Sequence, residues 1–230
     1  MPEATLSELF ERNARHVESL SASHFDAVQT EQHPAVVSVC CSDSRVSQEG
    51  MWATEEPGWL FSVGNIGNQV TDRVDGTDTV CGDVLYPIRF TDTETAVVVG
   101  HTGCGAVTAA LEAVRSDEPS DLPPGIETRV ESLRPSVEAG LDDDRTDPDD
   151  ADVVNQLVEY NVDRQVESLR TNRWVPESVT VFGFVYDFQG VYDDVPGRCY
   201  LVNRDGETGI EELRDDAPER FETRVRRLLE

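Results

Sequence analysis

Ala35-Val36-Val37-Ser38-Val39-Cys40-Cys41-Ser42-Asp43-Ser44-Arg45 carries an apolar, β-branched run straight into a group of reactive side chains. A second stretch, Ala96-Val97-Val98-Val99-Gly100-His101-Thr102-Gly103-Cys104, is built the same way. Short Val-rich runs without alternation read as strands buried on both faces, the kind found at the centre of a parallel sheet. Two cysteines and a histidine then fall at the carboxyl ends of two strands, where open α/β sheets place their sites. Two Cys and one His also form one known catalytic zinc ligand set, which leaves a fourth position free. Asp43 and Arg45 follow the first cysteine closely enough to decide what occupies that position.

The elements around these runs alternate. Leu6, Leu9, Phe10, Val17 and Leu20 mark one face of an opening helix, strand 34–41 follows, and a shorter strand runs from Trp59 to Val63. Gly64-Asn65-Ile66-Gly67-Asn68 is a turn rich in residues that tolerate positive φ. A helix is expected over 75–89, then strand 95–100, a helix from Cys104 to about Arg115, and a loop over 116–125 containing Pro119, Pro123 and Pro124. Residues 126–139 read as helix, Leu141 to Asp152 as a solvated acidic linker, 153–171 as helix and Ser178–Val185 as strand. A hairpin or extended segment over 191–204 and an amphipathic helix over 216–229 complete the chain. The pattern predicts an α/β fold, a mostly parallel β-sheet flanked by α-helices.

Composition narrows the function classes. The 230 residues carry 46 acidic and 19 basic side chains, a formal charge of −27, and every basic residue is Arg. A phosphate backbone would be repelled, so nucleic acid is excluded as a partner. Pervasive carboxylates keep a protein soluble where water is scarce. Their mutual repulsion is screened at about 1 M salt, where the Debye length is roughly 3 Å. The charge therefore reads as adaptation of a salt-loving source. The five cysteines form no CxxC pair and no disulfide framework. Neither a signal peptide nor an apolar run of about 18 residues is evident, which predicts a reducing, cytoplasmic setting and no membrane partner.

Cys40 and Cys41 point to opposite faces of their strand, so only one of them is expected to act as a ligand. Cys81 and Cys199 read as core, and His16, His24 and His33 as surface residues; His33 is a candidate proton relay. Cys41 and Arg45 cannot form a phosphatase-type loop, because only Ser42, Asp43 and Ser44 lie between them. On chemistry alone, the thiolates and imidazole suit zinc, whose bound water ionises near pKa ~7. A carboxylate at Asp43 can accept that water's hydrogen or block the metal, and a guanidinium at Arg45 can hold the carboxylate off it.

Cys41-Ser42-Asp43-Ser44-Arg45 with His101-Thr102-Gly103-Cys104-Gly105 resembles the β-class carbonic anhydrases. Gln32-x-Pro34, Pro57-Gly58-x-Leu60-Phe61, Asn65-Ile66-Gly67-Asn68 and Gly183-Phe184-Val185-Tyr186-Asp187 with Gly190 extend the resemblance over about 25–205. It implies Zn2+ on Cys41, His101 and Cys104, with Asp43 a possible fourth ligand in a closed state. It also implies an Asp43–Arg45 dyad that gates and orients the hydroxide, and a substrate hydrogen bond from Gln32 of the same or a partner subunit. Phe61, Val63 and Tyr186 would wall the pocket. The implied organisation is a single domain over 1–230, with a helical arm at 1–24 packing on a partner subunit and an acidic loop and helix insertion at 116–152. The implied assembly is a homodimer or higher homo-oligomer, including tetramers.

The implied reaction is reversible hydration of carbon dioxide to bicarbonate and a proton. Hydrolysis of carbonyl sulfide or carbon disulfide is the alternative on the same scaffold, and a catalytically silent zinc-binding or bicarbonate-sensing protein is the second. Members regulated by bicarbonate carry Trp and Arg where this chain has Ser38 and Gly64, so no effector site of that kind is expected.

Overall fold

The computed structural model describes residues 4–116 and 121–229. Its centre is a five-stranded sheet of β1 (Val36–Cys41), β2 (Leu60–Asn65), β5 (Thr95–His101), β6 (Thr180–Asp187) and β7 (Arg198–Arg204), in the order β2-β1-β5-β6-β7. The first four strands are mutually parallel and β7 is antiparallel to β6. The Val-rich runs at 36–41 and 95–101 occupy the second and third places, inside the four parallel strands, as expected of strands buried on both faces.

Helices flank the sheet unequally. On one face α3 (Gly82–Phe90), α4 (Gly105–Arg115), α5 (Pro124–Leu141) and α6 (Val153–Arg170) share a single core with Val37, Val39, Val98 and Val181. On the other, Cys40, Val97 and Val99 pack against Met51 and Trp52 at α2 (Gln48–Met51) and against Phe182, Phe184 and Tyr186 beside them on β6. Strand alternation has therefore separated Cys40 from Cys41, which packs against the larger core. Gly100 lets α6 approach: a Cβ there would meet the Val158 and Val162 side chains at 2.8 Å.

Although α6 lies in the core, it carries buried Asn155, Gln156, Glu159, Asn161 and Gln165. Each is spent on a neighbouring segment. Asn161 donates to the Gly67 carbonyl at 3.2 Å, the Gln165 carbonyl oxygen accepts from Val70 N–H at 2.8 Å, and Gln156 accepts from Asp147 N–H at 2.9 Å. The helix thus fixes the connections around the sheet ends as well as filling the core.

Two expectations are corrected. Residues 75–81 are not helical: β3 (Thr71–Val74) and β4 (Thr77–Val80) form an antiparallel hairpin, and α3 begins only at Gly82. Asp75 and Gly76 both have positive φ, 50° and 78°, as a two-residue hairpin turn of the Asp-Gly type requires. The terminal helix over 216–229 is likewise absent. α7 (Ile210–Asp216) ends before Pro218, which forces Ala217 into an extended conformation, φ −83° and ψ 141°. A 3-10 turn (Glu219–Arg224) follows, and Val225 then bridges in parallel to Leu201 on the β7 edge.

Within 191–204 only 198–204 is strand. The 141–152 linker is largely exposed turn, as expected. The proline-rich loop expected over 116–125 lies partly outside the described residues, which omit 117–120. The opening helix forms as α1 (Leu6–Ser19), capped by Thr5 Oγ1 accepting from Glu8 N–H, but none of its residues is buried.

Candidate active site

Cys41 ends β1 and His101 ends β5, and these strands are adjacent and parallel, with Cys40 opposite Val99. Chain direction alone then carries both side chains to the same end of the sheet. Cys104 is brought back by a tight turn at Gly103, φ +62°, where a Cβ would meet Gln189 Nε2 at 2.7 Å. The Gly103 N–H donates to Asn155 Oδ1 on α6 at 2.8 Å, and Cys104 becomes the N-cap of α4. The ligand atoms of Cys41, His101 and Cys104 all lie within 4.8 Å of one another, the only such group among the described residues.

Three observations fit this group to a metal ion. The Cys41 and Cys104 sulfurs stand 3.9 Å apart; two thiolates on one tetrahedral ion, each about 2.3 Å from it, would be roughly 3.8 Å apart. His101 Nδ1 lies 2.9 Å from the Thr102 carbonyl oxygen. A carbonyl only accepts, so Nδ1 carries the hydrogen and Nε2 presents a lone pair. That Nε2 is buried and has no hydrogen-bond partner, which is costly unless something else receives its electrons. The proton distribution of the two sulfurs points the same way. Contact with Cys104 pulls the Cys41 thiol down, and contact with Cys41, aided by burial, pushes Cys104 up, so Cys41 is the sulfur that ionises first. By contrast, burial pushes the Cys40 and Cys199 thiols up to about 12, and both are inert.

Asp43 lies at the rim of the group, with Oδ2 3.7 Å from His101 Nε2. Arg45 holds both of its oxygens: Nε donates to Oδ1 at 2.9 Å, a terminal nitrogen donates to Oδ2 at 2.7 Å, and the Arg45 backbone N–H adds a bond to Oδ1 at 2.9 Å. These bonds hold the Asp43 carboxyl well below the usual carboxylate range. The same guanidinium donates to the Gly103 carbonyl at 3.3 Å, tying the loop after β1 to the loop after β5.

A sequence profile of the carbonic anhydrases matches residues 36–191, well over half of the chain. The chain belongs to the carbonic anhydrase family. Membership brings carbon dioxide hydration as the general reaction. "Carbonic anhydrase 2" of Mycobacterium tuberculosis is 30% identical to this family member over 219 residues, 91% of this chain and 97% of that one. A carbonic anhydrase of Synechococcus elongatus is 28% identical over 82% of this chain and 68% of its own length. The fold is that of the β-class: a Coccomyxa β-carbonic anhydrase solved with acetazolamide superposes with TM-score 0.70, at 24% identity over 91% of each chain. One of two tetrameric β-carbonic anhydrases from Sordaria macrospora gives TM-score 0.68 at 20% identity, over 86% of this chain and 95% of its own.

The other sequence-selected residues are scattered. Phe61 packs at the edge of the larger core, its ring 6.2 Å from Tyr86, while Val63 is buried in that core. Tyr186 belongs to the opposite sheet face with Cys40, and its ring lies 6.4 Å from Phe188. Gln32 is exposed in the segment entering β1, and His33 faces Glu31 at 3.6 Å.

The residues missed from sequence are those that act across the fold. Phe188, whose ring stacks on His101 and lies against Arg45, is one of them, and as a lone aromatic after β6 it carried no signal. Asn155 had no signal beyond being polar within an amphipathic helix. No helix among the described residues is long and apolar enough to cross a membrane.

Proposed function

We propose that this protein catalyses reversible hydration of carbon dioxide to bicarbonate and a proton at a zinc site held by Cys41, His101 and Cys104. The observation that carries this reading is the buried, unpartnered Nε2 of His101 converging with two sulfurs 3.9 Å apart, beside a carboxylate fully engaged by Arg45. Zinc there supplies Lewis acidity, which makes water nucleophilic near neutral pH. Asp43 stays ionised at working pH and acts only as an acceptor. Its carboxylate takes a hydrogen bond from the attacking oxygen's hydrogen and so turns a lone pair toward carbon dioxide. Arg45 keeps both Asp43 oxygens occupied, which restrains the carboxylate, whose Oδ2 stands 3.7 Å from His101 Nε2, from turning inward to close the site. A structural zinc site needs neither residue, which weighs against a silent role.

Phe61, which pairs with Val37 four residues short of Cys41, supplies an apolar wall to the site of a second copy, and Gln32 donates a hydrogen bond to substrate from the same chain or a second copy. The exposed apolar face of α1, with Leu6 69%, Leu9 56%, Phe10 67% and Val17 58% accessible, is covered by a second copy of the chain in a homodimer or larger assembly. The charge of −27 supports a salt-rich working environment.

Stopped-flow hydration of carbon dioxide by the zinc-loaded protein in molar salt, at several pH values, tests the assignment. A rate no faster than buffer with one zinc per chain bound would overturn it. Turnover of carbonyl sulfide or carbon disulfide in preference to carbon dioxide would move the assignment to the hydrolase alternative.

A further inference from the structure

We propose that Phe188 is the positioning residue of Arg45 and, through Arg45, sets the orientation of the Asp43 carboxylate. The Arg45 side chain is 51% exposed, yet its guanidinium is confined on three sides. Asp43 holds one edge, the Gly103 carbonyl another, and the Phe188 ring lies against it with Cζ 4.6 Å from the ring centroid. An aromatic face at this distance attracts a guanidinium and favours one placement of an otherwise mobile side chain. The same ring stacks on His101, centroids 5.8 Å apart and planes at 27°. Phe188 therefore touches one member of the cysteine–histidine group and the clamp on Asp43.

The ring is itself held in place. Phe188 N–H donates to Thr102 Oγ1 at 3.3 Å, and the Thr102 hydroxyl donates to Asp187 Oδ1 at 3.2 Å. Asp187 is fully buried and receives three further bonds: Oδ1 from Gln189 and Gly190 N–H at 3.0 and 2.9 Å, and Oδ2 from Tyr192 N–H at 2.8 Å. These bonds wind the turn after β6 around one carboxylate and fasten it to the residue next to His101. The Gly183-to-Gly190 segment thereby has a use: it delivers an aromatic ring to the dyad. Without the ring, Arg45 can swing toward solvent and Asp43 is free to turn toward His101 Nε2.

The proposal rests on the functional reading above, and its test separates the two. Zinc-loaded F188L is expected to lose about tenfold in kcat, about 1.4 kcal/mol, with KM within twofold of wild type and one zinc per chain retained. F188Y, which keeps the ring, retains at least half of the wild-type kcat. In an R45Q background, F188L adds no further loss. Independently of any substrate, the Arg45 Nε–H proton resonance, shifted by the ring in wild type, moves in F188L and not in F188Y. Wild-type kcat in F188L overturns the proposal, as does a full tenfold further loss in R45Q or an unmoved Arg45 resonance. Loss of zinc from F188L alone overturns it in favour of a role for the ring in holding His101. An inactive wild-type enzyme with F188L moving the Arg45 signal overturns the functional reading and leaves the positioning role supported.

Discussion

Arg45 grips Asp43 at both carboxylate oxygens, 2.9 and 2.7 Å away, while Asp43 Oδ2 stands only 3.7 Å from His101 Nε2. In the proposed mechanism this one side chain separates an accessible site from a closed one. Replacing Arg45 by Ala releases the carboxylate, and with zinc bound the expected outcome is retained metal with kcat reduced at least a hundredfold. Metal analysis alongside stopped-flow rates checks this; an R45A enzyme as fast as wild type would remove the clamp from the mechanism.

Cys104 is held by the Gly103 turn and by α4, and its sulfur is one of the three converging ligand atoms. C104A is expected to bind less than a tenth of the zinc held by wild type and to show no carbon dioxide hydration. Equilibrium dialysis followed by elemental analysis measures the stoichiometry. Full activity in metal-free C104A would sink the assignment.

The Arg227 side chain is 1% exposed and bonds Asp163 at 2.7 Å and fully buried Glu159 at 3.1 Å, while Glu159 also accepts from Tyr192 O–H at 2.7 Å and Leu228 N–H at 2.8 Å. This network holds the terminal segment to α6. Burial already pushes the Glu159 carboxyl up despite the Arg227 charge. R227L leaves the acid unpaired and is expected to destabilise the fold by about 3–5 kcal/mol. Chemical denaturation of wild type and R227L at one molar salt concentration measures the difference. R227L/E159L is expected to recover part of the loss.

Asp143 is bonded by Arg145 through Nε, the terminal nitrogen and backbone N–H, and its carboxyl is lowered to about 2. A carboxylate with a depressed folded value stabilises fully above its unfolded value, near 3.9, and loses that contribution as pH falls through about 2. The stability gap between wild type and D143N should therefore be constant above pH 5 and close as pH falls from 4 to 2. Thermal melts across that range check it, and a gap independent of pH would count against the pair.

The −27 charge predicts that wild-type Tm rises between 0.1 and 2 M potassium chloride, with most of the gain below 1 M, where the Debye length is already about 3 Å. A flat Tm across this range would remove the reading of the acidic surface as adaptation to salt.

The sheet was legible because its middle strands are apolar on both faces, and a parallel sheet leaves few other homes for such runs. The hairpin at 71–80 was not: Val80, Val84 and Ile88 recur every four residues as on one helix face, which drew the helix back to 75, whereas the paired positive φ of Asp75 and Gly76 turns the chain there. The end of the chain was misread for a related reason. Its apolar residues match a helix, but Pro218 breaks the run, and the β7 edge and Glu159 then capture the remainder in extended form.

What sequence alone determined is seen best by comparing two short segments. Asp43-Ser44-Arg45 and Asp143-Asp144-Arg145 form the same clamp, with Arg N–H and Nε on Oδ1 and a terminal nitrogen on Oδ2. The second stands apart from the cysteine–histidine group, so Asp-x-Arg builds this pair from local geometry. The convergence of Cys41, His101 and Cys104 is different. It requires adjacent parallel strands, a left-handed Gly103 and Asn155 reaching from α6. The ring of Phe188 over Arg45 likewise requires the turn after β6 to be wound on Asp187. Local bonds follow from neighbours in the chain, whereas contacts between distant segments follow only from strand order and from the packing that fixes it.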